Sequence, residues 1–152
     1  MCATSHFLKL MHRSIGICKL CQIAEENSQH LLFQCPIINP VWDCVVDKLQ
    51  TLLNGNLVLD LEAIIFGLDT TKSIEEGNRN KIVNCFVFET KWQIWKNRNN
   101  VKFGKKNSAT VEHLFEKIIM CCKIQLELYT NKSSGKLNNK FKQILCEILE
   151  NI

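Results

Sequence analysis

Apolar positions along this chain recur mostly at spacings of three and four, as expected of helices that bury one face. Val41, Trp42, Val45, Val46, Leu49, Leu52 and Leu53 form one such stripe. It follows Asn39-Pro40, a capping residue and a proline suited to a first helical turn. Asn54-Gly55-Asn56 predicts its end at a glycine C-cap. Residues 60–67 predict a short helix with Asp60 as cap and Gly67 as terminator. Residues 69–79 are polar and read as a loop. From about Asn80 to Asn97, Ile82, Val83, Phe86, Val87, Phe88, Trp92, Ile94 and Trp95 give an unusually broad apolar surface, as in a helix central to a core. Asn97-Arg98-Asn99-Asn100 reads as its end. Ser108 is suited to cap a helix over about 109–130, with Val111, Leu114, Phe115, Ile118, Ile119, Cys122 and Leu126 in register. After a loop at 131–136, a last helix over about 138–150 presents Phe141, Ile144, Leu145, Ile148 and Leu149. A short opening helix is expected over 5–13. No internal repeat and no convincing strand emerge, so the expected fold class is mainly α.

With 152 residues, 46% apolar and 22% charged, the chain (1–152) is expected to be a single folded domain. Two prolines and six glycines exclude collagen-like or low-complexity sequence. No apolar run approaches membrane-spanning length, so no membrane association is expected. Lys9, His12 and Arg13 interrupt the apolar positions near Phe7 and Leu8, so no secretion signal is expected. The chain is expected inside the cell, in the nucleus or the cytoplasm. The net charge of +4 is unevenly spread. Residues 1–76 hold five Lys/Arg and nine Asp/Glu, a balance of −4, whereas residues 77–152 hold fourteen and six, a balance of +8. The second half is therefore the candidate surface for a polyanion.

Nine cysteines are many for this length and odd in number. In a reducing compartment, clustered cysteines point to metal before disulfide. Cys18, Cys21, His30 and Cys35 follow the pattern C-x2-C-x8-H-x4-C. Thiolate and imidazole are the ligands zinc favours, and four of them close its tetrahedron without water. A structural Zn2+ is expected there, in a CCHC element resembling a zinc knuckle at residues 15–36. Ser28 is suited to cap a short helix over 29–34, bringing His30 and Cys35 to the same ion. Cys2, His6 and His12 offer alternative ligands, although His6, His12 and His113 read as ordinary helix residues. Cys2, Cys44, Cys85, Cys121, Cys122 and Cys146 lie outside the cluster and read as small core residues.

The run CKLCQIAEENSQHLLFQCPIINPVW resembles the zinc-binding segment at the C-terminal end of non-LTR (LINE-type) retrotransposon reverse transcriptases. The match is carried by Cys18, Cys21, Glu26, His30, Leu31, Phe33, Cys35, Pro36 and Trp42. Downstream, Lys91-Trp92-Gln93-Ile94-Trp95-Lys96-Asn97-Arg98-Asn99 resembles the K-W-x-I-W-K-x-R-N stretch that follows this segment in those elements. The resemblance covers roughly residues 15–104, with 37–104 as the helical part. The helical pair expected at 108–152 is generic. The resemblance implies a role beside RNA and other domains of a reverse-transcriptase polyprotein. It does not extend to catalysis, because no Asp-Asp pair occurs in the chain and no nuclease or nucleophile–base constellation is visible. No enzymatic activity and no small-molecule substrate are expected.

Between Lys91 and Lys106 lie six Lys/Arg and no acid, interleaved with Trp92, Trp95 and Phe103. Phosphates need cations, and unpaired bases stack on aromatic faces. Trp92 and Trp95, three apart on one face with Phe88, are expected in the core rather than as base platforms. Lys96, Arg98, Lys102, Lys105 and Lys106 are expected to form a nucleic-acid-contacting surface, with Lys132, Lys136, Lys140 and Lys142 in reserve. Cations near a helix C-terminus also complement the macrodipole. The leading expectation is therefore a non-catalytic zinc-binding module that binds RNA or single-stranded DNA. The alternative is a protein-interaction or scaffolding module with purely structural zinc. A thiol redox protein using Cys18 and Cys21 ranks last, because the strand–helix context of such proteins is missing.

Overall fold

The computed structural model describes residues 16–71, 73–104, 107–132 and 139–152. The expected helix at 5–13, together with Cys2, His6, His12, Lys105, Lys106 and Lys136, lies outside them. Six helical elements follow one another among the described residues: α1 (His30–Gln34), α2 (Asn39–Leu52), α3 (Leu61–Phe66), α4 (Ile74–Lys102), α5 (Val111–Lys132) and α6 (Asn139–Asn151). The same residues form no strand, only an isolated antiparallel bridge between Ile17 and Glu25. The fold is mainly α, as the periodicity predicts.

Helix α2 buries Val41, Trp42, Val45 and Leu49 and carries Pro40 in its first turn. Its end differs from expectation. The residue in the left-handed conformation is Asn54 (φ 48°), not Gly55, and Gly55 N–H donates to the Gln50 carbonyl. Asparagine is the residue besides glycine that best tolerates this conformation. Helix α3 begins and ends as the sequence predicts. The Asp60 carboxylate accepts from Ala63 N–H at 2.8 Å, and Gly67 (φ 82°) closes the helix. Asn84 of α4 then clasps the following residue at both ends, accepting from Leu68 N–H and donating to its carbonyl.

Helix α4 is longer than its apolar pattern at both ends. Ser73 accepts from Glu76 N–H, and Glu75 and Glu76 occupy the first turn, where carboxylates are favoured. The helix also continues through Asn97-Arg98-Asn99-Asn100 to Lys102. Tertiary partners hold that stretch. Asn97 accepts from Ala109 N–H at 2.9 Å and donates to Ser108 Oγ at 3.3 Å. Ser108 is thus committed to α4, and Thr110 Oγ1 accepts from His113 N–H at the start of α5 instead.

The core joins Val83, Phe86, Val87 and Ile94 of α4 to Leu114, Ile118, Cys122 and Leu126 of α5 and Phe141, Leu145 and Ile148 of α6. Helix α5 packs on α2, α4 and α6. Of the cysteines outside the ligand cluster, Cys122 is buried, Cys44, Cys85 and Cys121 are half-buried, and Cys146 is exposed, contrary to its expected core position. Among the described residues no helix is long and apolar enough to cross a membrane.

Candidate metal centre and the faces of helix α4

Residues 16–29 double back in a tight loop. Cys18 N–H donates to the Ala24 carbonyl at 2.8 Å, Gln22 N–H to the Cys18 carbonyl at 2.9 Å, and Glu26 N–H to the Gly16 carbonyl at 2.7 Å. These bonds turn the C-x2-C pair inward. Asn27, rather than the expected Ser28, starts the next helical turn: its Oδ1 accepts from His30 N–H at 2.8 Å. That turn is of the wide π type, closed by Cys35 N–H donating to the His30 carbonyl at 2.7 Å. The five-residue closure joins the backbones of His30 and Cys35, whose side-chain donor atoms lie within 4.8 Å. In an ordinary α-helix, residues five apart point to different sides.

The result is a four-ligand cluster. The donor atoms of Cys18, Cys21, His30 and Cys35 all lie within 4.8 Å of one another, and Cys21 Sγ is 3.3 Å from His30 Nε2. Cys18, His30 and Cys35 are buried and Cys21 is half-buried. The thiols differ in acidity. Burial opposes ionisation of Cys21, but the backbone N–H groups of Ile23 and Ala24, with His30 and Cys18, outweigh it and draw the thiol down to about 6. Burial, reinforced by the charges of Cys18 and Cys21, pushes Cys35 up to about 12. Burial likewise raises Cys18. Ionising three adjacent thiols together is costly without a cation among them, and a metal ion held there would supply that cation.

Side chains of α2 and α4 tie the cluster to the helices. Trp42 Nε1 of α2 donates to the Leu32 carbonyl at 2.6 Å. Glu26, which reads as part of a polar metal loop, turns inward and is buried. It receives Arg98 of α4, whose Nε lies 3.0 and 3.1 Å from the two carboxylate oxygens and whose Nη2 also donates to Oε1. The expectation that Arg98 belongs to an exposed cationic surface is thereby corrected. Its guanidinium is buried in an ion pair with Glu26, in the loop that carries Cys18 and Cys21. No local signal in the sequence links these two residues.

Lys91 is also withdrawn from the surface. Its Nζ donates to the Ile65 carbonyl at 2.9 Å and sits 4.3 Å from the Phe88 ring centroid. Burial draws it down to about 8. Lys96 is half-exposed and Lys102 exposed, so these two stand on the solvent side as expected. The tryptophans depart from expectation. Trp92 is 43% exposed, beside Phe88 at 38%. Trp92 stacks on the half-buried Trp95, with ring centroids 4.9 Å apart and planes 18° from parallel. The signal for this was their spacing. Phe88, Trp92, Trp95, Lys96 and Asn99 share a face distinct from that of Phe86, Thr90, Gln93, Ile94 and Asn97.

None of the protein-family models, characterised proteins or solved structures compared with the chain matches it.

Proposed function

We propose that this chain is a non-catalytic, zinc-stapled helical module that binds RNA or another single-stranded nucleic acid, in line with its resemblance to the tail of non-LTR retrotransposon reverse transcriptases. The observation that carries this reading is the clamp between the ligand loop and α4. Glu26 and Arg98 lock the cluster to the helix whose solvent side bears Lys96 and Lys102.

The donor set fits zinc. Three thiolates and one imidazole at Zn–S about 2.3 Å and Zn–N about 2.0–2.1 Å form a tetrahedron with edges of roughly 3.5–3.8 Å. The cluster's spread, within 4.8 Å and as short as 3.3 Å between Cys21 and His30, brackets that size. A shell filled by protein ligands leaves no coordination position for water, which makes the zinc a structural brace. A thiolate-rich centre is favoured where thiols stay reduced, which supports a location inside the cell, in the nucleus or cytoplasm.

The test is a salt titration of binding to unstructured RNA. Charge reversal at Lys96, Lys102, Lys105 and Lys106 should weaken binding and flatten the log–log salt slope by roughly 0.7 for each phosphate no longer neutralised. Unchanged affinity and slope would favour the second reading, docking to other domains of a reverse-transcriptase polyprotein. That reading draws on a cleft of about 530 Å³ between α2, α4 and α6, lined by Leu52, Leu53, Ile74, Ile82, Phe141 and Ile144 among others. Apolar docking there would show little salt dependence.

A further inference from the structure

The solvent face of α4 carries more than cations. Phe88, Trp92, Trp95, Asn99 and Phe103 follow one another at spacings of three and four, so they align along one side of the helix over about 22 Å. Tryptophan is costly to leave in water, and a helix with a free choice of surface residues fills that side with polar ones. Here Trp92 and Phe103 remain 43% and 64% exposed. Cations flank the rings: Lys96 Nζ lies 5.5 Å from the Trp92 centroid and Lys102 Nζ 5.9 Å from the Phe103 centroid. From Thr90 through Val111 the sequence contains no carboxylate. Flat aromatic faces, ammonium groups within one side chain of them and a stretch of sequence without acids are together complementary to a ligand that alternates flat rings with anions.

We infer that the Trp92–Trp95 stack is a base-stacking subsite for single-stranded RNA, with a nucleobase laid against the Trp92 ring and the adjoining phosphate held by Lys96. The inference rests on the nucleic-acid reading above and assigns that reading a specific site. Stacking needs a base whose face is free, and RNA presents such bases in loops, bulges and ends, whereas a duplex hides them. Trp95 is the fixed partner, packed against the core. It holds Trp92 in one orientation, so little side-chain entropy is lost when a base arrives. Lys102 and Phe103 repeat the pairing of a cation with a ring about three turns further along the helix.

The experiment compares a twelve-nucleotide oligouridine with an abasic ribose-phosphate strand of equal length and charge, using the full chain loaded with zinc. Oligouridine should quench tryptophan emission and bind more tightly than the abasic strand. Trp92→Ala should weaken oligouridine binding roughly 5- to 150-fold, the range for loss of one stacked base, and leave abasic binding unchanged. Trp92→Phe, which keeps a ring, should retain most of the affinity. Lys96→Gln should weaken both ligands. Because Trp92 lies at the surface, circular dichroism should show the Trp92→Ala chain folded. Equal binding of oligouridine by wild type and the folded Trp92→Ala chain would overturn the subsite while leaving the nucleic-acid reading intact. Failure of the wild type to bind any strand would overturn both. Markedly tighter binding of oligothymidine than of oligouridine would overturn the choice of RNA.

Discussion

Glu26 and Arg98 stand 72 residues apart in sequence and meet as a buried ion pair between the ligand loop and the last turns of α4. Burying either charge alone is costly, and the guanidinium fork across both carboxylate oxygens is the geometry that offsets the cost. The pair also explains why α4 does not stop at Asn97: the turn that carries Arg98 is held in helical form from outside. Replacing Arg98 with Met should leave the Glu26 carboxylate buried without its guanidinium and destabilise the protein by about 3–5 kcal/mol. The double variant Glu26→Gln/Arg98→Met should recover much of that loss. Urea denaturation of the single and double variants checks this, and additive losses would show that the pair is not coupled.

Metal removal should act locally before it acts globally. The purified chain should hold about one zinc per molecule, and Cys35→Ser should abolish it. Hydrogen exchange in the Cys35→Ser chain should rise sharply over 16–35 and far less over the buried faces of α4 and α5. Zinc retained in full by that variant, measured by elemental analysis, would contradict the ligand assignment.

Lys91 gives the stability a pH dependence of definite sign. Its folded value, drawn from 10.5 to about 8 by burial, lies below the value it recovers on unfolding. Between about pH 8 and 10.5 the unfolded chain therefore binds more protons than the folded one, and stability rises with pH through this window. The charged, buried ammonium is a penalty fully present below the folded value and relieved above it. Relative to Lys91→Met, the wild type should gain up to roughly 3 kcal/mol across the window. A flat difference between the two chains in pH-dependent unfolding would show that Lys91 is not desolvated.

Gly67 closes α3 at φ 82° and ψ 174°, a region open to glycine almost alone. A Cβ added there would lie 2.8 Å from Asn84 Oδ1 and 3.1 Å from Phe88 Cζ. Gly67→Ala should therefore strain the backbone and push apart the Asn84 clasp on Leu68. A loss of about 3 kcal/mol is expected. A thermal midpoint indistinguishable from that of the wild type would show that the turn yields without cost.

The helical class, the stripes of α2, α5 and α6, both ends of α3 and the spacing of the three cysteines and the histidine that cluster were all legible in the order of residues alone. These features are local: a helical stripe, a cap or a C-x2-C pair is written in residues a few positions apart, and each acts through its own turn of backbone. Packing settled the rest of α4. Periodicity marks which positions share a face, but it does not reveal which face a neighbouring helix covers. Apolar rings at Phe88, Trp92 and Trp95 thus read as core, while packing by α5 fell on the side of Glu89 and Gln93, which meet Gln125 and Cys121. Charge behaved in the same way. Arg98 and Lys91 look like two more cations of a basic run, yet Glu26 and the Ile65 carbonyl, supplied from distant parts of the chain, make burial of each possible. The π turn that brings His30 and Cys35 together leaves no mark in the spacing either, because residue order alone does not distinguish a five-residue closure from an ordinary α turn.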